Sequence, residues 1–344
     1  MSITKVAKLA GVSSSTVSRV INRHPRVAPL TERTVRKAME ELGYTPSDRR
    51  PGPKPQQRLR TENKFIAFLV MGASNGQATP AFSDLLRGVA MGASENNLSL
   101  AFHYVPNAEH LPPRVFDNKI DGVLLHGTAP GPELEEKLRH IPSVWVMGNR
   151  RRPNFGDQVM PDSYEIGHQA AKYLVSRGHR NVAFLNLDSE HWPFRQYYLA
   201  FAAGASELGA MVFDIEEPRE ATADYWGAVN RSNVAAVVDR FMAYNPRPTG
   251  IFVADDIQVS VIQPALQRAG VKLGHGHTEI VSCNNEKPYL MGLHPRPAVI
   301  DIRVESIGRR GVEHLFWRME HPQVSERIVS AVEPRLLLAE DALG

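Results

Sequence analysis

At 344 residues the chain has room for two or three domains, each large enough to bury its own core. A single cysteine, Cys283, excludes an internal disulfide, and no apolar run approaches the ~20 residues of a membrane span, so a reducing cytoplasm is the expected setting. The net charge of +3 hides an asymmetry: residues 1–64 carry fourteen Lys/Arg against five Asp/Glu, a net of about +9, which leaves about −6 on the remainder. A basic head on a mildly acidic body fits a polyanionic partner for the head alone.

The first elements are helical. Val6, Leu9 and Ala10 stand at i, i+3, i+4, and Val17, Val20 and Ile21 repeat that spacing. Between them Gly11 can take the positive φ that ends a helix, and Ser13 is a suitable N-cap for the next. Two short amphipathic helices joined by a Gly-containing turn form a helix-turn-helix pattern. The outward face of the second helix carries Ser14, Ser15, Ser18 and Arg19, with Thr16 and Asn22 beside them as further candidates for DNA contact. Such a pair cannot bury its apolar faces alone. Val35, Ala38, Met39 and Leu42 supply a third helix, starting near Thr31 and stopped by Gly43.

Residues 47–63 are basic and Pro-rich, with Pro51, Pro53 and Pro55 around Gly52. Alternating prolines forbid a regular helix and favour extended chain. A stiff solvated tether is one reading. The other is a cationic strand lying in a minor groove through Arg49, Arg50 and Lys54.

From Phe65 short apolar β-rich runs (FIAFLV, LSLAFHY, DGVLLH, SVWVM) alternate with amphipathic stretches such as FSDLLRGVAMGASENN and PELEEKLRH. After Arg150 the alternation resumes, through YEIGHQAAKYLVSRGH, NVAFLN, YYLAFAAGASELG, MVFDI, VAAVVDRFMAYN, TGIFVA and VIQPALQRAG. Two consecutive sets predict two doubly wound parallel-sheet α/β subdomains behind the all-α head.

No G-x-G-x-x-G follows a strand, and there is no Walker-type loop and no G-x-S-x-G elbow. His275 and His277 in GHGHT lack further ligands and read as solvated surface, so neither a metal nor a cofactor is expected. Asp255 and Asp256 follow the TGIFVA strand, at the carboxyl end where α/β sheets hold small ligands. Binding rather than catalysis is the reading.

Over residues 3–46 the core VA-x-x-AGVS-x-x-TVSRV-x-N and the closing ELGYTP resemble the DNA-binding head of the lactose-repressor (LacI/GalR) family. One departure is Lys5, where the family usually has Asp. In the body, TPAFSDLLRGV, KIDGVLLHG, YEIGHQAAKYLVSRGHRNVAFLN and RPTGIFVADD resemble the family's effector-binding domain, itself similar to periplasmic sugar-binding proteins of type I. The resemblance implies a head over 1–46, a linker over 47–63 and an effector-binding domain over 64–344. Within that domain the chain would cross three times. The N-subdomain would cover about 64–161 and 301–322, and the C-subdomain about 162–300 and 323–344. It also implies a cytoplasmic homodimer on a pseudo-palindromic operator in double-stranded DNA, repressing transcription under control of a small molecule.

The family's ligand groups carry over unevenly. Asp255 and Asp256 match the acidic pair of the N-D-x-x-A-x-G stretch. The family's arginine aligns with Tyr197, with Arg195 two residues away, and the usual later Asp is Asn284. Its Asp-Asn at the first crossover reads Pro161-Asp162. Phe82, Trp192, Phe194 and Trp226 lie where the pocket should be, each also readable as a half-buried structural aromatic. As a group they favour a ligand with an apolar face, such as a saccharide. The family's hinge-helix motif is absent, and RRPGPK loosely resembles an AT-hook. The alternatives are a regulator that has lost small-molecule control and, from another class, a carbohydrate-processing enzyme with a DNA-binding head.

Overall fold

Helix α1 (Ile3–Leu9), helix α2 (Ser14–Ile21) and helix α3 (Pro29–Glu41) close around Val6, Ala7, Val17, Val20, Val35 and Ala38, all buried. In this computed structural model the described residues are 3–21, 27–44, 64–71, 79–105, 111, 113–117, 119–147, 155–217 and 234–339. Gly11 turns the chain at φ +67°, and Ser13 Oγ accepts the Thr16 amide at 3.2 Å, capping α2. Helix α3 starts on Pro29, where a missing N–H costs nothing, and ends in a Schellman pair. There Gly43 N donates to Glu40 O at 3.0 Å and Tyr44 N to Met39 O at 2.8 Å, with Gly43 at φ +56°. One expectation fails. Leu9 is 48% exposed and Ala7 takes its place inside. Val6, Ala10 and Ala7 span about 100° of the helix turned inward, and Leu9 falls about 60° outside that arc on the Val6 side.

The chain divides into two compact units, 1–61 and 62–344. The larger contains two six-stranded sheets. The first takes β1 (Phe65–Met71), β2 (Ser99–Val105), β3 (Gly122–Gly127), β4 (Ser143–Val146), β5 (Asp157–Pro161) and β11 (Val329–Val332) in the order β11-β5-β4-β3-β1-β2, all parallel. The second takes β6 (Asn181–Asn186), β7 (Met211–Glu216), β8 (Gly250–Val253), β9 (Glu279–Cys283), β10 (Ala298–Asp301) and β12 (Arg335–Leu337) in the order β12-β10-β9-β8-β6-β7. It too is parallel except for β12, which runs against β10. Each sheet thus repeats one winding, with β1 and β6 at its switch point.

Helices cover the sheets: α4 (Pro80–Glu95), α5 (Pro113–Phe116), α6 (Pro132–Arg139), α7 (Ser163–Ser176), α8 (Trp192–Glu207), α9 (Val234–Ala243), α10 (Asp256–Arg268), α11 (Lys287–Leu290) and α12 (Val304–Glu320). The alternation of β1 shows why. Ile66, Phe68 and Val70 face the α4 side, while Ala67, Leu69 and Met71 join the core around Leu134 and Leu138 of α6. Glycines set the tightest crossings. A Cβ on Gly88 of α4 would run into the Glu305 carbonyl of α12, and one on Gly167 of α7 into the Tyr197 carbonyl of α8.

Three segments pass between the sheets, at Pro161-Asp162, at Ile302-Arg303 and at Glu333-Pro334. They lie side by side: Asp162 N donates to Val332 O at 3.0 Å, and Asp301 pairs with Arg335. The expectation that 323–344 belongs entirely with the second sheet fails at β11. Asp157 holds that strand to the first sheet, accepting from Ile328 N at 2.9 Å and from both Nε and Nη2 of Arg318 at 2.7 and 2.8 Å. Among the described residues no helix is long and apolar enough to cross a membrane.

Candidate functional site

The head presents its polar face on α2. Ser14, Ser15 and Arg19 are exposed and Ser18 is half-buried, while Val17 and Val20 fill the opposite side. A short helix anchored this way by its apolar face offers its polar groups to a groove. Thr16 is drawn into the cap instead: its Oγ1 lies 2.9 Å from Ser13 Oγ. Lys5, Lys8, Arg33 and Lys37 are exposed on the flanking helices and can reach phosphates. Asn22, Arg49, Arg50 and Lys54 lie outside the described residues.

In the body, the carboxyl ends of β8 and β9 bring Asp255, Asp256, Asn284 and Glu286 together. Asp255 caps α10, its Oδ1 accepting from Gln258 N at 2.8 Å. Asp256 is completely buried. It accepts from the Ser282 hydroxyl and, through Oδ2, from Glu286 N at 2.5 Å. Asn284 and Asn285 take left-handed φ of +105° and +68°, a turn that swings Glu286 back over the strand ends. Asn284 Nδ2 then donates to Glu286 Oε2 at 3.3 Å.

Glu286 Oε1 accepts the Ala81 amide at 3.1 Å, and Ala81 stands in the first turn of α4 against the other sheet. The two carboxyl edges therefore meet in one cleft, with a carboxylate from one at a helix N-terminus of the other. Burial, opposed by the Ala81 hydrogen bond and reinforced by the charge of Asp255, pushes Glu286 up to about 7. Asp256 is raised well above the usual carboxylate range, first by burial. Tyr289 is pushed up to about 12 by burial and then by Glu286 and Asp255. Asp256 and Glu286 bond to neutral donors among the described residues.

The sheet-one side of the cleft is aromatic. Phe82 stacks on Phe68 with centroids 6.2 Å apart and lies 5.7 Å from His126, whose imidazole burial pushes below its ordinary value. Trp192 opens α8 at the carboxyl edge of sheet two and is 37% exposed. Tyr197 is buried beside Phe194, where burial, then Cys283 and Asp255, raise its hydroxyl well above the phenolic range. Arg195 does not join them. It is exposed and its charge acts on Asp214 and Glu216 of the edge strand β7, because two residues, about 200° of helix, put it on the side opposite Tyr197. Trp226 lies outside the described residues.

Glu286 and Tyr289 escaped the sequence reading. The signal that marks them is an Asn-Asn pair directly after a strand, a positive-φ turn at a ligand-facing edge. Among the described residues no three His, Cys, Asp or Glu side chains converge as a metal site.

Residues 2–47 match the family described as bacterial regulatory proteins, lacI family, and residues 171–338 match the periplasmic binding protein-like domain. The HTH-type transcriptional repressor PurR of Mannheimia succiniciproducens is 24% identical over 351 residues, covering 98% of this chain and 97% of its own. The ribose operon repressor of Escherichia coli K12 is 25% identical over 333 residues, covering 94% of each. Among solved structures, the transcriptional regulator CelR in complex with cellobiose aligns with a TM-score of 0.63 at 22% identity, over 99% of both chains. A lac repressor dimer bound to operator and the anti-inducer ONPF aligns at 0.61 and 17%, over 100% of this chain and 99% of the other. With a helix-turn-helix head ahead of a two-sheet ligand-binding body, the chain belongs to the lactose-repressor (LacI/GalR) family of DNA-binding transcriptional regulators.

Proposed function

We propose that the chain is a repressor that binds a pseudo-palindromic operator as a homodimer in the cytoplasm, its affinity set by a saccharide in the cleft. Two copies of the Ser14-Ser15-Arg19 face would read half-sites one helical turn of DNA apart. The observation that carries the ligand class is the chemistry of the cleft. Asp256 and Glu286 are buried acids held by neutral donors, Asn284 adds an amide, and Phe82 adds an apolar wall. Such a site suits an uncharged molecule rich in hydroxyl donors and repels an anion. The ribose operon repressor and the cellobiose-bound regulator, by their names, support a sugar. The reading is non-enzymatic and uses neither cofactor nor metal.

A thermal-shift screen against carbohydrates and nucleobases tests it. A ligand at ~100 times its dissociation constant stabilises by ~2.7 kcal/mol. Asp255→Asn, which keeps the helix cap, and Trp192→Ala should each weaken the sugar that is found. Tight binding of an anion, indifferent to Asp255→Asn, would remove the saccharide reading. One observation favours a second reading, a regulator without small-molecule control: the Glu286 carboxylate itself bridges the cleft to Ala81. Operator binding that no screened compound alters would support it.

A further inference from the structure

The second sheet also has an amino edge, where β9 and β10 begin, and a cavity of about 390 Å³ lies there. The five residues of β9 separate it from the cleft by roughly 15 Å of strand. Its volume falls near the lower end of small-molecule sites, about 300–1,000 Å³. Arg177, Gln263, His275, Glu279 and Arg296 supply its polar lining.

The arginines of this chain show what Arg296 lacks. Arg318 grips Asp157 side-on, through Nε at 2.7 Å and Nη2 at 2.8 Å. Arg177 grips Glu279 through the same edge, both bonds at 3.0 Å. That edge is a fork whose spacing matches a pair of oxygens on one carboxylate or phosphate. On Arg296 the same two atoms, Nε and Nη2, are buried and have no partner among the described residues. Gln263, 1% exposed, gives its Nε2 to Pro295 O at 2.8 Å and leaves its Oε1 buried and without a partner among the described residues. Unbonded buried donors of a charged group are among the costlier arrangements in a fold. Glu279 does not bond them; it is held by Arg177. Among the described residues, Arg296 therefore carries a donor edge that no acceptor of the chain takes.

We propose that this cavity is a second ligand site, taking a compact molecule with a carboxylate or phosphate group. The oxyanion pair takes the Nε/Nη2 edge of Arg296, whose side chain turns into the cavity to receive it. A hydroxyl or ammonium beside it donates to Gln263 Oε1, and the remainder lies against Tyr173, Leu273 and Pro297. His275 Nδ1, 2.5 Å from Arg177 Nη2, helps to hold that arginine on Glu279.

Isothermal titration calorimetry of the full chain tests this with sodium lactate, sodium propionate and inorganic phosphate, each against sodium chloride at equal ionic strength. At least one oxyanion should bind where chloride does not. The stronger of lactate and phosphate identifies the head group, and lactate over propionate reports the Gln263 contact. Arg296→Lys keeps the charge without the fork and should weaken binding at least tenfold. Gln263→Glu brings the chain's own carboxylate into the cavity and should abolish it. Heats no different from chloride, or equal affinity in Arg296→Lys, would overturn the site and leave the edge to water.

Discussion

Glu286 follows a strand of the second sheet, yet its Oε1 accepts the Ala81 amide of the first subdomain at 3.1 Å. The contact exists only at this spacing of the two sheets, so it reports their closure. It is also titratable. Burial holds Glu286 near 7 against an ordinary 4.5.

A carboxyl whose folded pKa is raised contributes stability that is complete below the unfolded value and lost as pH rises through the folded one. The window is therefore about pH 4.5 to 7. The wild type should lose melting temperature between pH 5 and 8 relative to Glu286→Gln. His126 and His179, both lowered by burial, act with the opposite sign in both proteins, so the difference between the two curves is the readout. Parallel curves would show that Glu286 does not titrate in this range.

Arg19 leaves α2 on its exposed face, among serines too short to compete for a guanine. Arg19→Ala should cost ~1–3 kcal/mol on the operator and flatten discrimination at one base position. Competition assays on operator and random DNA separate this from a phosphate contact, which would weaken both equally.

Gly88→Ala places a methyl group against the Glu305 carbonyl, where α4 and α12 cross with no room between backbones. The helices must move apart, at a cost of about 1–3 kcal/mol. Urea unfolding of the body should show the loss, whereas Gly292→Ala, at an exposed glycine with nothing within 4 Å among the described residues, should not.

The linker offers a test independent of folded geometry. An extended cationic chain in a narrow groove should favour an A·T-rich operator centre, read by Arg50 and Lys54. Replacing both by Ala should reduce the salt slope by about two contacts and cost most on A·T-centred sites. A slope unchanged in the double variant would leave a tether.

How far the sequence could be read follows from the length of its periodic signals. The long amphipathic runs of α4, α7 and α8 and the apolar β1 and β6 announced two wound sheets. Helix α2 was legible because Val17 and Val20 define its inner face. Strands β11 and β12, of four and three residues with no clean alternation, carried no such signal. Their sheets are chosen by Asp157 and β10, far away in sequence. Asp255 was legible from its place after a strand. Glu286 was not, since its partner is 205 residues away: the Asn284-Asn285 pair marks a turn there but not which side chain spans the two subdomains. Arg195 was misplaced because spacing alone does not say which side of α8 faces the strand ends.

The three crossing segments carry a mechanical consequence. Pro161-Asp162, Ile302-Arg303 and Glu333-Pro334 lie abreast, tied by the Asp162–Val332 bond and the Asp301–Arg335 pairing. Three short chains fastened in a row behave as a leaf spring: compliant to bending across its width, stiff to twisting and to sliding. Pro161 and Pro334 fix φ in two of the leaves, and Arg303 already sits at a left-handed φ of +57° in the third. Bending across that row is the rotation this arrangement favours, and it would open or shut the gap bridged by Glu286. Whatever enters that gap drives a single-axis lever rather than a loose joint.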